Sequence, residues 1–345
     1  MKGDSLSLLN KYRSAIMGAA ALWIYFFHLW FIIAAEGTLF YKIVFFVQRI
    51  GYVGVDVFFF LSGIGLTYAI QKNDVFAFYV RRLKRIIPSF LIIGIIIGVL
   101  NSWGLKVFVK KITGYGFLFE SIYSFLWFVP AIMILYLVFP WLYMFLNKAG
   151  DIITGIFTII VIWLFISIKF ADMIRYDFYG FTNRIPIFLT GILFATLMMR
   201  REWIITRQMW ILIMLIYLLG LYFSYLTNFR DYFLIVVSSN CFLPTFLIAI
   251  TGSLMLSKLL DMIINSGYKR VGSVINKVLS FFGTISLEFY CVQEWLGNRI
   301  NGAIYNYPTT LKNVIIFVCV TAAGYLLHRV VGFLLDVTRR PLHAH

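Results

Sequence analysis

The sequence predicts an all-α fold, a polytopic membrane bundle of about ten transmembrane helices with both termini cytoplasmic. Three observations predict it. Apolar residues make up 62% of the 345, against roughly 45–50% in a soluble domain. Only 13% are charged, and mean hydropathy is +0.91. The apolar residues also come in long runs, and a helix needs about 20 of them to cross hydrocarbon about 30 Å thick. These figures exclude a water-soluble globular domain, a disordered chain and a disulfide scaffold. The spans use up the apolar total, so residues 1–345 read as a single integral membrane domain with no appended soluble domain.

The elements follow in order. Residues 1–13 are polar and carry Lys2, Lys11 and Arg13. The apolar run 14–35 is too long for a signal-peptide core and reads as the first span, entering from the cytoplasm. The same criterion places further spans near 43–70, 86–103, 125–147, 151–169, 185–199, 209–226, 233–257, 280–298 and 313–336. The third span opens at Pro88 and carries Gly94 and Gly98, a spacing that permits close helix packing. Between the third and fourth, Lys106, Lys110 and Lys111 alternate with Val107, Phe108 and Ile112, which reads as an interfacial or re-entrant piece. No internal repeat is visible.

The net charge is +16. In a soluble protein that would point to nucleic acid; here basic residues on cytoplasmic loops and anionic membrane lipids account for it, and no nucleic-acid partner is expected. With the amino terminus inside, roughly two thirds of the 30 Lys and Arg fall on inner segments, although Lys106, Lys110 and Lys111 fall outside. Cys241, Cys291 and Cys319 sit in apolar runs with no metal or disulfide spacing, so apolar packing is expected of each and no metal site is expected.

Ionisable groups inside spans are costly, so each needs a reason. They are His28, Arg49, Asp56, Glu288, Glu294 and His328. His28 lies 15 residues past Arg13, about 22 Å along a helix, where burial favours the neutral imidazole that a general base requires. Asp56 needs a partner. Arg49, seven residues earlier, shares its helix face but is about 10 Å away, and His28 on the neighbouring span is the other candidate. An Asp that fixes the His tautomer leaves the second ring nitrogen free to accept a proton. Arg82 and Arg85, three apart, share a helix face and suit bidentate phosphate contact at the cytoplasmic mouth. A topological role for this basic cluster and a structural role for Asp56 are the bland alternatives.

Four stretches now stand together. The first holds His28, preceded by Arg13. The second is Val53-Gly54-Val55-Asp56-Val57-Phe58-Phe59-Phe60-Leu61-Ser62-Gly63. The third is Arg82-Leu83-Lys84-Arg85-Ile86-Ile87-Pro88. The fourth comprises Trp127-Phe128 with Tyr136 and Pro140, Arg184-Ile185-Pro186 running to Gly191, and Gly283-Thr284-Ile285-Ser286 running to Tyr290. In this order they resemble acyltransferase family 3, integral membrane O-acyltransferases that modify bacterial surface glycans.

The resemblance implies a ten-helix domain in the plasma or inner membrane. It implies acetyl-CoA or another acyl-CoA as cytoplasmic donor, and a hydroxyl of a glycan or lipid-linked sugar as acceptor. It also implies His28 as the essential histidine and Arg82 and Arg85 as the donor-binding pair. Arg13, with Asp56, joins His28 as a candidate catalytic residue. The sequence departs from the family pattern at three points. Met17 stands where members place an Arg eleven residues before the His, and Ile132 and Met133 stand where many carry a Glu. Gln293, followed by Glu294, stands where the last motif often ends in His. A polysaccharide exporter without acyl transfer is the alternative function, and it calls for a polar lumen that these spans do not supply.

Overall fold

A computed structural model describes residues 4–120, 125–148, 151–169, 179–201, 203–230 and 242–337. Among them the chain is a helical bundle. The helices are α1 (Leu8–Lys11), α2 (Arg13–Leu29), α3 (Leu39–Arg49), α4 (Val53–Ile70), α5 (Val75–Leu100), α6 (Leu105–Ile112), α7 (Phe128–Lys148) and α8 (Ile152–Lys169). After these come α9 (Tyr179–Thr182), α10 (Ile185–Arg200), α11 (Arg207–Phe229), α12 (Phe242–Ile264), α13 (Lys269–Thr284), α14 (Ser286–Ala303) and α15 (Thr309–Val337). A π-turn at Gly116–Glu120 links α6 towards α7. One antiparallel bridge joins β1 (Asp4–Ser5) to β2 (Ile204–Ile205) and ties the amino-terminal segment to the loop before α11.

Among the described residues, 7 helices are long and apolar enough to cross a membrane: α4, α5, α7, the stretch Gly180–Arg200 that joins α9 to α10, α11, α12 and α15. The remaining expected spans correspond to α2, α8 and α14. The first is 17 residues long, the second is a shorter apolar helix, and the third carries Glu288, Gln293 and Glu294. Part of the eighth expected span, 233–241, and Cys241 lie outside the described residues.

α4 forms the centre of the bundle, with most of its length buried against α2, α10, α12 and α7. Glycines set the closest crossings. A Cβ on Gly63 would come 2.2 Å from the Phe188 carbonyl oxygen, and one on Gly191 would come 2.1 Å from that of Phe60, so α4 and α10 meet backbone to backbone. Gly18 and Gly283 do the same for α2 and α13. At the rim, Lys11 Nζ reaches Asp261 Oδ1 at 2.6 Å, which holds its charge above the ordinary lysine range.

Three expected boundaries are corrected. The run 43–70 is two helices, because Gly51 sits against the Trp23 carbonyl and Phe27, where a Cβ would be 2.6 and 2.7 Å away. The chain turns there, so α3 lies outside the core as an amphipathic helix with no buried residue. Arg49 and Asp56 therefore do not share a helix face. The third span begins at Val75, not Pro88: Asp74 Oδ1 accepts from the Ala77 amide at 2.7 Å and caps α5, leaving Pro88 inside the helix. The run 280–298 breaks at Ile285, where Arg85 takes the Thr284 carbonyl at 3.1 Å.

The first span is also shorter than its apolar run. α2 stops at Leu29, because the Asn313 side chain accepts from the Phe31 amide at 3.0 Å and donates to the Phe31 carbonyl at 2.7 Å. His28 thus occupies the last turn of its helix. The interfacial expectation for 104–124 fits α6, which is amphipathic and buries no residue. Gly94 and Gly98 make room for it: the nearest atoms to added Cβ atoms belong to Ile112 and Phe108. Cys291 is buried as expected, but Cys319 is exposed on the outer face of α15.

Candidate functional site

A cavity of about 160 Å³ runs between α2, α4, α5, α7 and α14. Its two ends differ in chemistry. At one end stand Arg13, Arg82 and Arg85, with Tyr136 and Ser286. The neck beyond is apolar, formed by Ile24, Val55, Phe58 and Phe128, with the Tyr290 hydroxyl beside it. The run from Arg13 to Ile24 on α2 measures about 16 Å.

The three arginines arrive by different routes. Arg82 and Arg85 share a face of α5, as their spacing predicts. Arg82 lies over the Phe78 ring at 5.6 Å and the Tyr136 ring at 6.0 Å. Arg13 reaches the cavity because Gly65 of α4 leaves the space: a Cβ there would lie 2.0 Å from its Nη2. It interacts electrostatically with Tyr136 and Arg82. Met17 lines the same wall one turn further on.

Arg13 and Arg82 form no ion pair with a carboxylate among the described residues, and the Nε of each is buried without a hydrogen-bond partner. Like charges held together in this way have little reason to persist without an anion to share. Arg85 is different. Its Nη1 donates to Glu288 Oε1 at 2.5 Å. The two arginines that look equivalent in sequence are therefore not equivalent in charge.

His28 does not line the cavity. It is exposed, and its ring meets Phe27 edge-on at 4.9 Å. It stands one helical turn past Ile24, the last cavity residue of α2, and therefore near the same face. On α14, Glu294 stands one turn past Tyr290, also a cavity residue. The two helices touch here, since a Cβ on Gly297 would lie 2.5 Å from Leu29 Cδ1. The carboxylate within electrostatic reach of His28 is Glu294. Sequence reasoning noted Glu294 as an ionisable group but gave it no role.

The expected pairing of Asp56 with His28 gives way to another. The ion-pair partner of Asp56 among the described residues is Arg184, at 3.5 Å, and Asp56 is fully buried. Arg184 also donates to the Gly180 carbonyl and lies over the Trp127 ring at 5.4 Å. Asp56 belongs to the second motif stretch and Trp127 and Arg184 to separate parts of the fourth, and here they form one cluster behind the cavity wall. Beside them the Tyr290 hydroxyl accepts from the Phe128 amide at 3.3 Å. No group of His, Cys, Asp and Glu suited to a metal occurs among the described residues.

A cationic mouth, an apolar neck and a histidine beyond it can hold an anionic donor and place its far end near a base. Comparison with known proteins bears on the same residues. No curated protein and no solved structure matches the chain significantly. A family model described as an acyltransferase domain matches residues 15–329, a range that contains His28, Asp56, Arg82, Arg85, Trp127, Arg184 and Tyr290. Arg13 lies just before it. The match covers most of the sequence, and the chain belongs to acyltransferase family 3 and is a membrane acyltransferase.

Proposed function

We propose that the protein moves an acyl group, acetyl by its family resemblance, from cytoplasmic acyl-CoA to a hydroxyl of a cell-surface glycan or its lipid-linked precursor. One observation carries this reading: Arg13, Arg82 and Arg85 converge at one end of a cavity whose other end lies one helical turn short of His28. Arginine forks match phosphate oxygens, and CoA carries several phosphates. The thioester arm would lie in the apolar neck between Ile24, Val55 and Phe58.

His28 would accept the proton of the acceptor hydroxyl, and Glu294 would stabilise the imidazolium that forms. The hydroxyl oxygen then attacks the thioester carbonyl. The C–S bond breaks, CoA thiolate leaves, and the proton on His28 returns to that sulfur. Asp56 acts as a positioning residue through Arg184 and Trp127, rather than on His28 itself. The mostly apolar neck also favours transfer over the passage of a polar polymer, so the exporter reading gains no support.

The orientation follows from loop charge, with both termini and the arginine mouth cytoplasmic. A reporter fused after residue 345 should be cytoplasmic, and an external signal would overturn that orientation. The reading as a whole is tested by titrating purified protein with acetyl-CoA in a calorimeter. Saturable binding that Arg13→Ala weakens supports it. No binding to any acyl-CoA by the folded wild type would reject it.

A further inference from the structure

Arg85 is held from behind. Besides the 2.5 Å contact from Nη1, its Nη2 donates to Glu288 Oε2 at 3.4 Å and to the Thr284 carbonyl at 3.1 Å. Glu288 has no solvent exposure. Its Oε1 also accepts from Ser89 Oγ at 2.9 Å, one turn along α5 from Arg85. Its Oε2 lies 3.5 Å from His328 Nδ1 on α15. A buried carboxylate is costly unless it is paired and hydrogen-bonded. Glu288 on α14 is paired with Arg85 and hydrogen-bonded to Ser89, both on α5, with His328 of α15 beside it, and so it links α14 to α5 at the donor end of the cavity.

The consequence falls on Arg85. An unanchored arginine loses much rotamer freedom when it binds a ligand. Arg85 has lost that freedom already, and its Nε and one Nη1 hydrogen are not engaged by Glu288 or Thr284. Arg13 and Arg82, without carboxylate partners, supply the uncompensated charge; Arg85 supplies N–H donors held in a fixed place.

We propose that Glu288 is a positioning residue for donor binding. It fixes the Arg85 guanidinium at the cavity wall so that the remaining N–H groups meet a phosphate of the donor, and Ser89 holds the carboxylate in place. This rests on the donor reading above.

The sign of one substitution separates this from simple electrostatics. Glu288→Gln removes a negative charge beside a site for a polyanion. If charge alone mattered, CoA would bind more tightly. If Glu288 positions Arg85, CoA binds less tightly, by about 10–100-fold, the equivalent of one charge-assisted hydrogen bond. The experiment is a double-mutant cycle on CoA affinity, measured by calorimetry with full-length protein in lipid nanodiscs. The variants are Glu288→Gln, Arg85→Met and the pair.

Weaker binding in Glu288→Gln, with no further loss when it is added to Arg85→Met, supports the proposal. Unchanged or tighter binding in Glu288→Gln overturns it, and so does a loss that persists undiminished without Arg85. If Glu288→Gln does not fold, Ser89→Ala keeps both charges and loosens the carboxylate. It should weaken CoA binding only while Arg85 is present, and unchanged affinity there overturns the proposal. Arg82→Ala separates the two levels of the argument. If it too leaves CoA affinity unchanged, the donor reading itself fails; if it weakens binding while Glu288→Gln does not, only the role of Glu288 fails.

Discussion

Asp56 of α4 and Arg184, the residue before α10, meet 3.5 Å apart where both are buried, and further along the same two helices come into backbone contact at Gly63 and Gly191. The pair joins the most specific motif of the sequence to a residue 128 positions away. Neutralising one member leaves the other charged inside the bundle. Asp56→Asn and Arg184→Gln should each destabilise the protein by about 3–5 kcal/mol, while Asp56→Leu with Arg184→Leu should cost less than either. Thermal unfolding in detergent measures this. Equal stability of the single variants and the wild type would remove the pair from the structural account.

The glycine crossing of α4 and α10 gives a second expectation. The atoms nearest to an added Cβ on Gly63 are backbone atoms, which cannot swing aside. Gly63→Ala should therefore cost about 1–3 kcal/mol as an overpacking substitution. Gly332 on α15 has nothing within 4 Å of an added Cβ, so Gly332→Ala should be neutral or slightly stabilising. Comparable losses of stability at both positions would contradict the crossing geometry.

Arg82 separates charge from shape. Its guanidinium lies over Phe78 and Tyr136, and it has no carboxylate partner among the described residues. Lysine would keep the charge and lose both the fork and the planar stacking. Arg82→Lys should weaken CoA binding about 10-fold, the scale of one lost charge-assisted bond. Wild-type affinity in that variant would reduce Arg82 to a topological cation.

Much of this was legible in the sequence, and the exceptions have physical reasons. Long apolar runs announced the bundle, because membrane hydrocarbon imposes its thickness on any helix that crosses it. Arg82 and Arg85 could be placed on one face because local spacing fixes that. The break at Gly51 was hidden, since the run 43–70 is apolar on both sides and hydropathy carries no direction. The partners of Asp56 and Arg85 were hidden too, because Arg184 and Glu288 lie 128 and 203 residues away and only the packed bundle brings them together. The arrival of Arg13 at the cavity depended on the missing side chain of Gly65, which local spacing does not reveal.

His28 carries the central claim, since it stands one turn past the cavity and beside Glu294. The direct measurement compares two quantities in His28→Ala at equal protein level: the rate of acyl transfer from acetyl-CoA to the glycan acceptor, and the affinity for CoA. Removing a general base costs about 10²–10⁴ in rate. The account predicts a transfer rate lower by that factor with CoA affinity unchanged, because the arginine end of the cavity is intact. Acyl transfer at the wild-type rate in His28→Ala would contradict it.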